Sequence, residues 1–330
     1  MTEVLASLGV HRVPVPVPFA EAGGPANVYL IEEEGGGLAL FDAGIGTPEG
    51  ETALLEGFHA LGRSLSEVRR IFISHGHLDH YGYARAAQDA SAAPVHCHPR
   101  DHDKVTWRDH DQGRVERHAA YLAKLGAGPE LRELAAHFQR QIEKMARPLS
   151  IVEPLIEGTR LQFAKFAATV MHLPGHTPGL VCLWAEDHGV LFSDDHLLEF
   201  VSPNPLHDLE GGSEPRHRAL VEYLRSAAKV RALPVTLVAP GHGPTFDNHV
   251  KIIDRLLSFY EKRQEKMMGL LREHGAKAPA QLAPLVFPNA RPHQQYLILS
   301  EVMGNLEVLE ERGRVARMER EGKWMFEVAR

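Results

Sequence analysis

The first part of the chain alternates short apolar runs with amphipathic stretches, which predicts a series of strands and helices. Residues 10–17 alternate apolar residues with others, and two prolines among them favour a strand at a sheet edge. Residues 27–31 and 38–42 are apolar runs joined by a glycine-rich segment, which predicts a hairpin. Residues 49–61 have the spacing of an amphipathic helix, and the apolar run at 70–73 is typical of a short buried strand.

The rest of the chain passes from charged helices to strands and then back to helices. Residues 100–147 carry apolar side chains at helical spacing among many charges, which predicts a helical insertion. Helical spacing dominates beyond His249, so we expect a main domain over residues 1–249 and a small, mostly helical domain over residues 250–330. The other expected elements are strands at 94–98, 160–163, 168–173, 190–196 and 235–238, helices at 214–229, 252–273, 280–286 and 296–311, and a hairpin at 314–328.

Composition adds limits on the class of protein. A length of 330 residues with 44% hydrophobic and 24% charged residues allows one large core and a small appended domain. The net charge of −7 gives no general reason to expect nucleic acid. Cys97 and Cys182 are expected to be buried apolar residues and not a disulfide. With no signal-peptide pattern and no run of 18 apolar residues, we expect a cytoplasmic protein that does not span a membrane.

Metal-binding side chains are concentrated where the strand at 70–73 meets the following helix. They are His75, His77, Asp79 and His80. Imidazole nitrogens and carboxylate oxygens are ligands that Zn accepts, and Fe and Mn accept them too. His75 and His77 can point to one side of a sharp turn while the Asp-His pair points to a neighbouring position, so one ion could not easily use all four. The spacing therefore predicts two ions, about 3.5 Å apart.

This His-x-His-x-Asp-His pattern after a strand resembles the signature of the metallo-β-lactamase fold hydrolases, and later segments match that family in the same order. The matching segments span residues 27–244. The resemblance implies an α+β protein with a four-layer αβ/βα sandwich and with the metals at one edge of the two sheets. It also places the insertion where it would cover the active site. Packing on the body and lining a substrate pocket both stay open for residues 100–147.

The resemblance assigns two more histidines to the metals. His176 lies in a turn with two glycines and two prolines, residues 174–179, that matches the family's third ligand loop. It would complete the first ion's set with His75 and His77, and three imidazoles plus a solvent position are typical of a catalytic zinc. His242 matches the last ligand segment and would join the Asp-His pair on the second ion.

Two acidic positions follow from the same resemblance. Where the family usually has Gly-Asp, this chain has Asp194-Asp195, and alignment on the preceding Leu-Phe puts Asp195 on the residue that bridges the ions. We predict bridging by Asp195, with Asp194 as the alternative. Asp42 matches a family residue that lies beneath the metals and holds a ligand imidazole in one orientation.

These assignments predict a metal-dependent hydrolase with a binuclear zinc centre. Water between the ions would have its pKa lowered toward about 7 and would supply hydroxide to cleave an ester, thioester, lactone or phosphodiester. Asp79 would hold the second ion, orient the nucleophile and carry a proton to the leaving group. The expected partner is a small-molecule substrate.

Other interpretations stay open. A mononuclear iron dioxygenase acting on thiols or persulfides shares much of this ligand set. The tail resembles the winged-helix-like end of the lactamase-B2-like branch, so it could contact nucleic acid in a nuclease or in a binding protein whose metals are only structural. Its basic residues are Arg312, Arg314, Arg317, Arg320 and Lys323. Glutamates interleave with them, which favours a salt-bridged surface over a phosphate contact.

Overall fold

The computed structural model describes the chain except for residues 1, 19–22, 109–112, 132, 134–136, 138–140, 142–143, 204–205, 207–216, 292–293 and 330. Two β-sheets of six and five strands form the body, and a two-stranded sheet belongs to the tail. Cys97 and Cys182 are both buried free thiols, as expected. Among the described residues, every helix is too short or too polar to cross a membrane.

The six-stranded sheet has its strands in chain order. They are β1 Val10–Val15, β2 Ala26–Glu32, β3 Leu38–Phe41, β4 Val68–Ile73, β5 Val95–Cys97 and β6 Glu153–Pro154. The first three pair antiparallel, and β3 to β6 run parallel. β1 lies at the edge of the sheet, which confirms the prediction made from its prolines, since a proline cannot donate a hydrogen bond to a second neighbour.

The five-stranded sheet has the order β11-β10-β9-β8-β7. Its strands are β7 Arg160–Gln162, β8 Ala167–His172, β9 Val181–Ala185, β10 Val190–Asp194 and β11 Leu237–Pro240. β9, whose residues are all buried, was not among the strands predicted from the sequence. The last strand begins two residues later than the predicted 235–238, since Val235 belongs to an apolar core but the pairing with β10 begins only at Leu237.

The helices lie mainly on the outer faces of the two sheets. They are α1 Thr2–Ser7, α2 Pro48–Ala60, α3 Leu78–Tyr81, α4 Ala84–Ser91, α5 His102–Thr106, α6 Arg114–Lys124, α7 Ala219–Arg231, α8 His249–His274, α9 Pro279–Val286 and α10 Gln295–Glu311. α2 begins where its sequence directs, because the Thr47 hydroxyl accepts a hydrogen bond from Gly50 N and Pro48 occupies the first turn. The helix predicted from residue 214 begins at Ala219, and residues 214–216 lie outside the described residues.

Three apolar cores separate the layers of the body. The first lies between the six-stranded sheet and α2 and α4, and it includes Phe58 and Ala87. The second lies between the two sheets, where the rings of Phe41 and Phe192 meet edge to face at 6.2 Å. The third lies between the five-stranded sheet and α7 and α8 and includes Val230. The predicted four-layer αβ/βα sandwich is therefore confirmed.

A fourth core joins the insertion to the tail. Leu122 of α6 packs in one apolar cluster with Met267 of α8, Leu306 of α10 and Phe326 of the terminal hairpin. That hairpin consists of β12 Val315–Arg320 and β13 Lys323–Val328. The apolar positions Leu134, Phe138 and Ile142 of the predicted insertion lie outside the described residues.

The insertion also contacts the body, since Val105 and Ala146 belong to the first core. α8 contributes Ile253 to the third core and Met267 to the fourth, so one helix is common to the sandwich and the tail. The division of the chain at residues 249 and 250 stays a prediction.

If the insertion and the tail share one core, truncating Leu122 will loosen both. Leu122 is 1% exposed, so Leu122→Ala should lower the free energy of unfolding by about 2–5 kcal/mol. Amide hydrogen exchange should increase in α10 as well as in α6. Leu55→Ala, at a leucine of α2 that is 39% exposed, is the matched control and should change little. Faster exchange confined to α6 would contradict the shared core.

Candidate metal centre

The first ligand loop begins where β4 ends and continues into α3. Asp42, directly after β3, accepts hydrogen bonds from Ser74 N at 2.7 Å and from Ser74 Oγ at 2.9 Å. The same carboxylate lies 2.9 Å from His80 Nδ1. Because β3 and β4 are parallel neighbours, their carboxyl ends meet at one sheet edge. Asp42 therefore holds both the beginning and the end of the loop, at the place that the family resemblance implies.

Three imidazoles converge on one side of this loop. His75 Nε2 lies 3.0 Å from His77 Nδ1, and the ring centroids of His77 and His176 are 4.6 Å apart. His176 comes from the turn between β8 and β9. One nitrogen from each ring lies within 4.8 Å of the other two. The structure thus brings together the three residues predicted for the first ion.

The second predicted set also comes together. Asp79 Oδ2 lies 3.4 Å from His242 Nε2, and Asp79 Oδ1 lies 3.9 Å from His80 Nε2. His242 follows β11, and its other nitrogen, Nδ1, donates to the carbonyl oxygen of Gly24 at 3.1 Å. That hydrogen bond fixes the ring so that Nε2 faces Asp79. Ligand atoms of the three residues lie within 4.8 Å of one another.

Asp195 lies between the two sets. Its Oδ2 is 3.3 Å from His176 Nε2 and 3.5 Å from His80 Nε2. Its Oδ1 is 3.6 Å from His242 Nε2. Gly241 packs directly against this carboxylate, since a Cβ at that position would overlap Asp195 Oδ1. One carboxylate therefore faces histidines of both sets.

Asp194 approaches two of the same histidines from behind. Its Oδ1 lies 3.1 Å from His75 Nδ1 and its Oδ2 lies 3.5 Å from His80 Nδ1, whereas Asp195 faces the Nε2 atoms of these rings. Asp194 has a positive φ of 47°, which suits the glycine usual at this position in the family better than most side chains. Its Oδ1 also accepts a hydrogen bond from Asp195 N at 2.8 Å, which supports this backbone turn.

The chemistry of these side chains fits metal ions. His80 Nε2 and Asp195 Oδ1 are buried, and neither makes a hydrogen bond within the described part of the chain. A buried nitrogen or carboxylate oxygen without a partner is costly, and a cation between the two sets would compensate for both. Imidazole and carboxylate are also the donors that zinc and iron accept.

The electrostatics of the site keep His75, His77 and Asp195 in the states that bind cations, but they leave His242 protonated in the metal-free protein. Burial, together with neighbouring imidazoles, lowers the pKa of His75 and, more strongly, of His77. Burial alone would raise the pKa of Asp195, but the nearby His242 and His80 hold it well below its usual range. Burial lowers the pKa of His242, yet Asp195 and Asp79 outweigh it and raise the pKa to about 9. A cation that binds there would displace this proton.

The turn that carries His176 contacts a group of three polar side chains, His217, Glu222 and Arg100. His217 Nε2 donates to the carbonyl oxygen of Gly175 at 3.3 Å, and His217 Nδ1 lies 3.2 Å from the Glu222 carboxylate. Arg100 donates to the same carboxylate at 2.9 Å. These contacts link the start of the insertion, α7 and the third ligand turn.

One residue that was not predicted from the sequence contacts two ligand loops. Asp101 is completely buried, and it accepts hydrogen bonds from Gly76, Thr177 and Gly179. The available signal was its place soon after β5, since β5 runs parallel to β4 and ends at the same sheet edge as the metal-binding corner.

Comparisons with known proteins agree with this geometry. Residues 22–242 match the family model of the metallo-beta-lactamase superfamily. The probable metallo-hydrolase YqjP of Bacillus subtilis strain 168 is 28% identical over 309 residues, which cover 91% of this chain and 92% of that protein. The beta-lactamase-like protein 2 homolog of Caenorhabditis elegans is 25% identical over 265 residues, or 78% of this chain and 69% of that protein.

Solved structures share the whole architecture. The metallo-beta-lactamase family protein TTHA1429 of Thermus thermophilus matches with a TM-score of 0.82 at 26% identity, over 97% of this chain and 98% of that one. A beta-lactamase domain protein of Burkholderia ambifaria has the same TM-score of 0.82 at 24% identity, over 97% and 92%, and shows the fold alone. The match extends through the tail as well as the sandwich.

The contacts of Glu222 predict a pH-dependent stability. Burial alone would raise its pKa, but the nearby His217 imidazole and the hydrogen bond from Arg100 prevail and hold the pKa at about 2. Since an unfolded glutamate has a pKa of about 4.3, the stabilisation is complete above that pH and is lost as the pH falls toward 2. Glu222→Gln should therefore lower the free energy of unfolding of the metal-free protein by about 1–3 kcal/mol at pH 7.

Urea unfolding of the wild type and of Glu222→Gln should be compared at intervals from pH 7 to pH 3. The difference in stability should shrink progressively below about pH 4.3. A difference that stays constant over this range would show that the charge of Glu222 does not contribute.

Proposed function

The chain belongs to the metallo-beta-lactamase superfamily, and from this premise we propose that it is a hydrolase that works with two metal ions, zinc in the first instance. The observation that supports the proposal most strongly is the position of Asp195, which faces histidines of both ligand sets. His75, His77 and His176 would hold the first ion, and Asp79, His80 and His242 the second. Ions held there would polarise a substrate oxygen and make water a nucleophile at neutral pH.

Asp79 is the residue of this chain proposed to move a proton. Its side chain is 14% exposed, compared with 9% for Asp195 and 0% for Asp194, so it is the most accessible of the three carboxylates. The pKa of Asp79 lies below its usual range, because His80 and His242 outweigh the effect of burial. The carboxylate is therefore ionised at neutral pH, the state in which it would hold the second ion and orient the attacking group. We propose that it also carries a proton to the leaving group.

The proposed substrate is a small molecule with an ester, thioester, lactone or phosphodiester bond. A nucleic-acid partner for the tail has less support, because several of its basic side chains have other partners. Arg314 pairs with Glu265 at 2.5 Å, and Arg317 pairs with Glu310 at 3.2 Å. Arg317 also lies over the ring of Trp324. Such a surface is typical of a solvated, salt-bridged face.

The reaction class can be tested with the zinc-loaded and the iron-loaded protein. We expect hydrolysis in at least one of the four substrate classes, and its loss when a chelator removes the metal. Oxygen consumption with a thiol or persulfide, in a protein that holds one iron ion, would instead establish the dioxygenase alternative. Ions without turnover of any of these substrates would favour a structural role for the metals.

The two histidine sets make a prediction about metal content. Because His77 and His80 are assigned to different ions, His77→Ala and His80→Ala should each lower the metal content by about one ion per chain. Elemental analysis of the purified variants measures this directly. Unchanged content in either variant would contradict the assignment of that histidine.

The adjacent acids make a second prediction. Asp195→Ala removes the carboxylate that faces both sets, whereas Asp194→Ala removes one that acts through the far nitrogens of the imidazoles. We expect Asp194→Ala to lower kcat/KM by roughly tenfold to a hundredfold, and Asp195→Ala to lower it considerably more. The comparison requires matched zinc loading of both proteins. The reverse order would identify Asp194 as the bridging residue.

A further inference from the structure

Asp101 connects the two loops that supply the first ligand set. It ends a short 3₁₀ turn, Pro99–Asp101, soon after β5, and it is completely buried. Its Oδ2 accepts hydrogen bonds from Gly76 N at 2.8 Å and from Thr177 Oγ1 at 2.7 Å. Its Oδ1 accepts one from Gly179 N at 2.8 Å. A single carboxylate thus binds the backbone of one loop and two groups of the other.

The donors lie next to the metal-binding histidines. Gly76 stands between His75 and His77, and Thr177 directly follows His176. Hydrogen bonds that share one carboxylate fix the two loops relative to each other, because displacement of either loop would leave a donor or the buried charge without its partner. The three imidazoles of the first set owe their mutual positions to these loops.

Packing around Asp101 reinforces this coupling. A Cβ at position 179 would lie only 2.8 Å from Asp101 N and 2.9 Å from Asp101 Cβ, so the second loop can approach this closely only because Gly179 has no side chain. The second ion's set has a different anchor, since His80 contacts the Asp42 carboxylate at 2.9 Å. Asp42 therefore contacts a histidine of the second set directly, whereas Asp101 binds donors next to the histidines of the first set.

We propose that Asp101 is a positioning residue that fixes His75, His77 and His176 relative to one another and thereby sets the affinity of the first ion. The inference rests on the proposed two-ion centre. The contacts described for Asp101 are with Gly76, Thr177 and Gly179, so its proposed effect passes through the two loops that carry the histidines. If Asp101 has this role, its substitution will lower the affinity for the first ion and not for the second. A general loss of stability would not produce this selective effect.

Three variants test the proposal by changing either the Asp101 carboxylate or one of its hydrogen-bond donors. Asp101→Asn replaces one acceptor oxygen with an NH₂ group, which faces either Gly76 N–H or Gly179 N–H and cannot accept from it. Thr177→Val removes one of the three donors, and Thr177→Ser keeps that donor. Glu33→Gln is the matched control, because Glu33 is a buried carboxylate paired with Arg70 at 2.6 Å beside the same sheet.

Affinity should be measured by titrating the metal-free proteins with zinc against a competing chelator. Each variant should also be combined with His80→Ala, which removes a ligand of the second ion, so that the titration measures the affinity for the first ion alone. Combination with His77→Ala measures the affinity for the second ion in the same way. Asp101→Asn should weaken the first ion roughly tenfold to a hundredfold and leave the second unchanged. Thr177→Val should have a smaller effect of the same kind, while Thr177→Ser and Glu33→Gln should resemble the wild type.

Amide hydrogen exchange of the metal-free proteins gives a second measurement that needs no ion. The amides of Gly76 and Gly179 should exchange at least several-fold faster in Asp101→Asn than in the wild type. Equal weakening of both ions, or unchanged affinity and exchange, would overturn the role of Asp101. A wild type that holds fewer than two ions would overturn the proposed centre instead, and exchange would still decide whether Asp101 couples the loops.

Discussion

The main physical constraint on this structure is that several imidazoles and carboxylates are buried close together at the edge of two sheets. Removing such groups from water is costly unless each finds a partner, and like charges placed together increase the cost. Asp195 illustrates the constraint, because its two oxygens face three imidazoles at 3.3–3.6 Å and one of the oxygens makes no hydrogen bond within the described residues. Cations shared between the two histidine sets would relieve this cost, and the surrounding fold holds the side chains in place for them.

The layered fold supplies that support through strand ends. The proposed metal ligands follow β4, β8, β10 and β11. Because the two sheets pack on a common apolar core, the ends of these strands bring distant parts of the sequence to one edge of the sandwich. Buried carboxylates outside the ligand sets then fix the loops. Asp42 holds the loop of His80, and Asp101 joins that loop to the turn of His176. The geometry of the centre is thus set by hydrogen bonds one layer away from the proposed metal ligands, as is common for metal sites.

Much of the metal centre could be predicted from local patterns in the sequence. The group from His75 to His80 could be recognised because four possible ligands follow one strand closely, and the family resemblance supplied His176 and His242. Asp101 could not be recognised in this way, because its importance arises only when three donors from two distant loops meet it in the folded chain. The packing of α6 against the tail could not be predicted from the sequence for a related reason. Helical spacing shows that Leu122 lies on an apolar face, but it does not show which part of the chain covers that face.

Anomalous diffraction from crystals of the zinc-loaded protein would show whether two ions lie on either side of Asp195. We expect two peaks, one beside His75, His77 and His176 and the other beside Asp79, His80 and His242, with Asp195 in contact with both. A single peak, or two peaks that share Asp194 and not Asp195, would contradict the account.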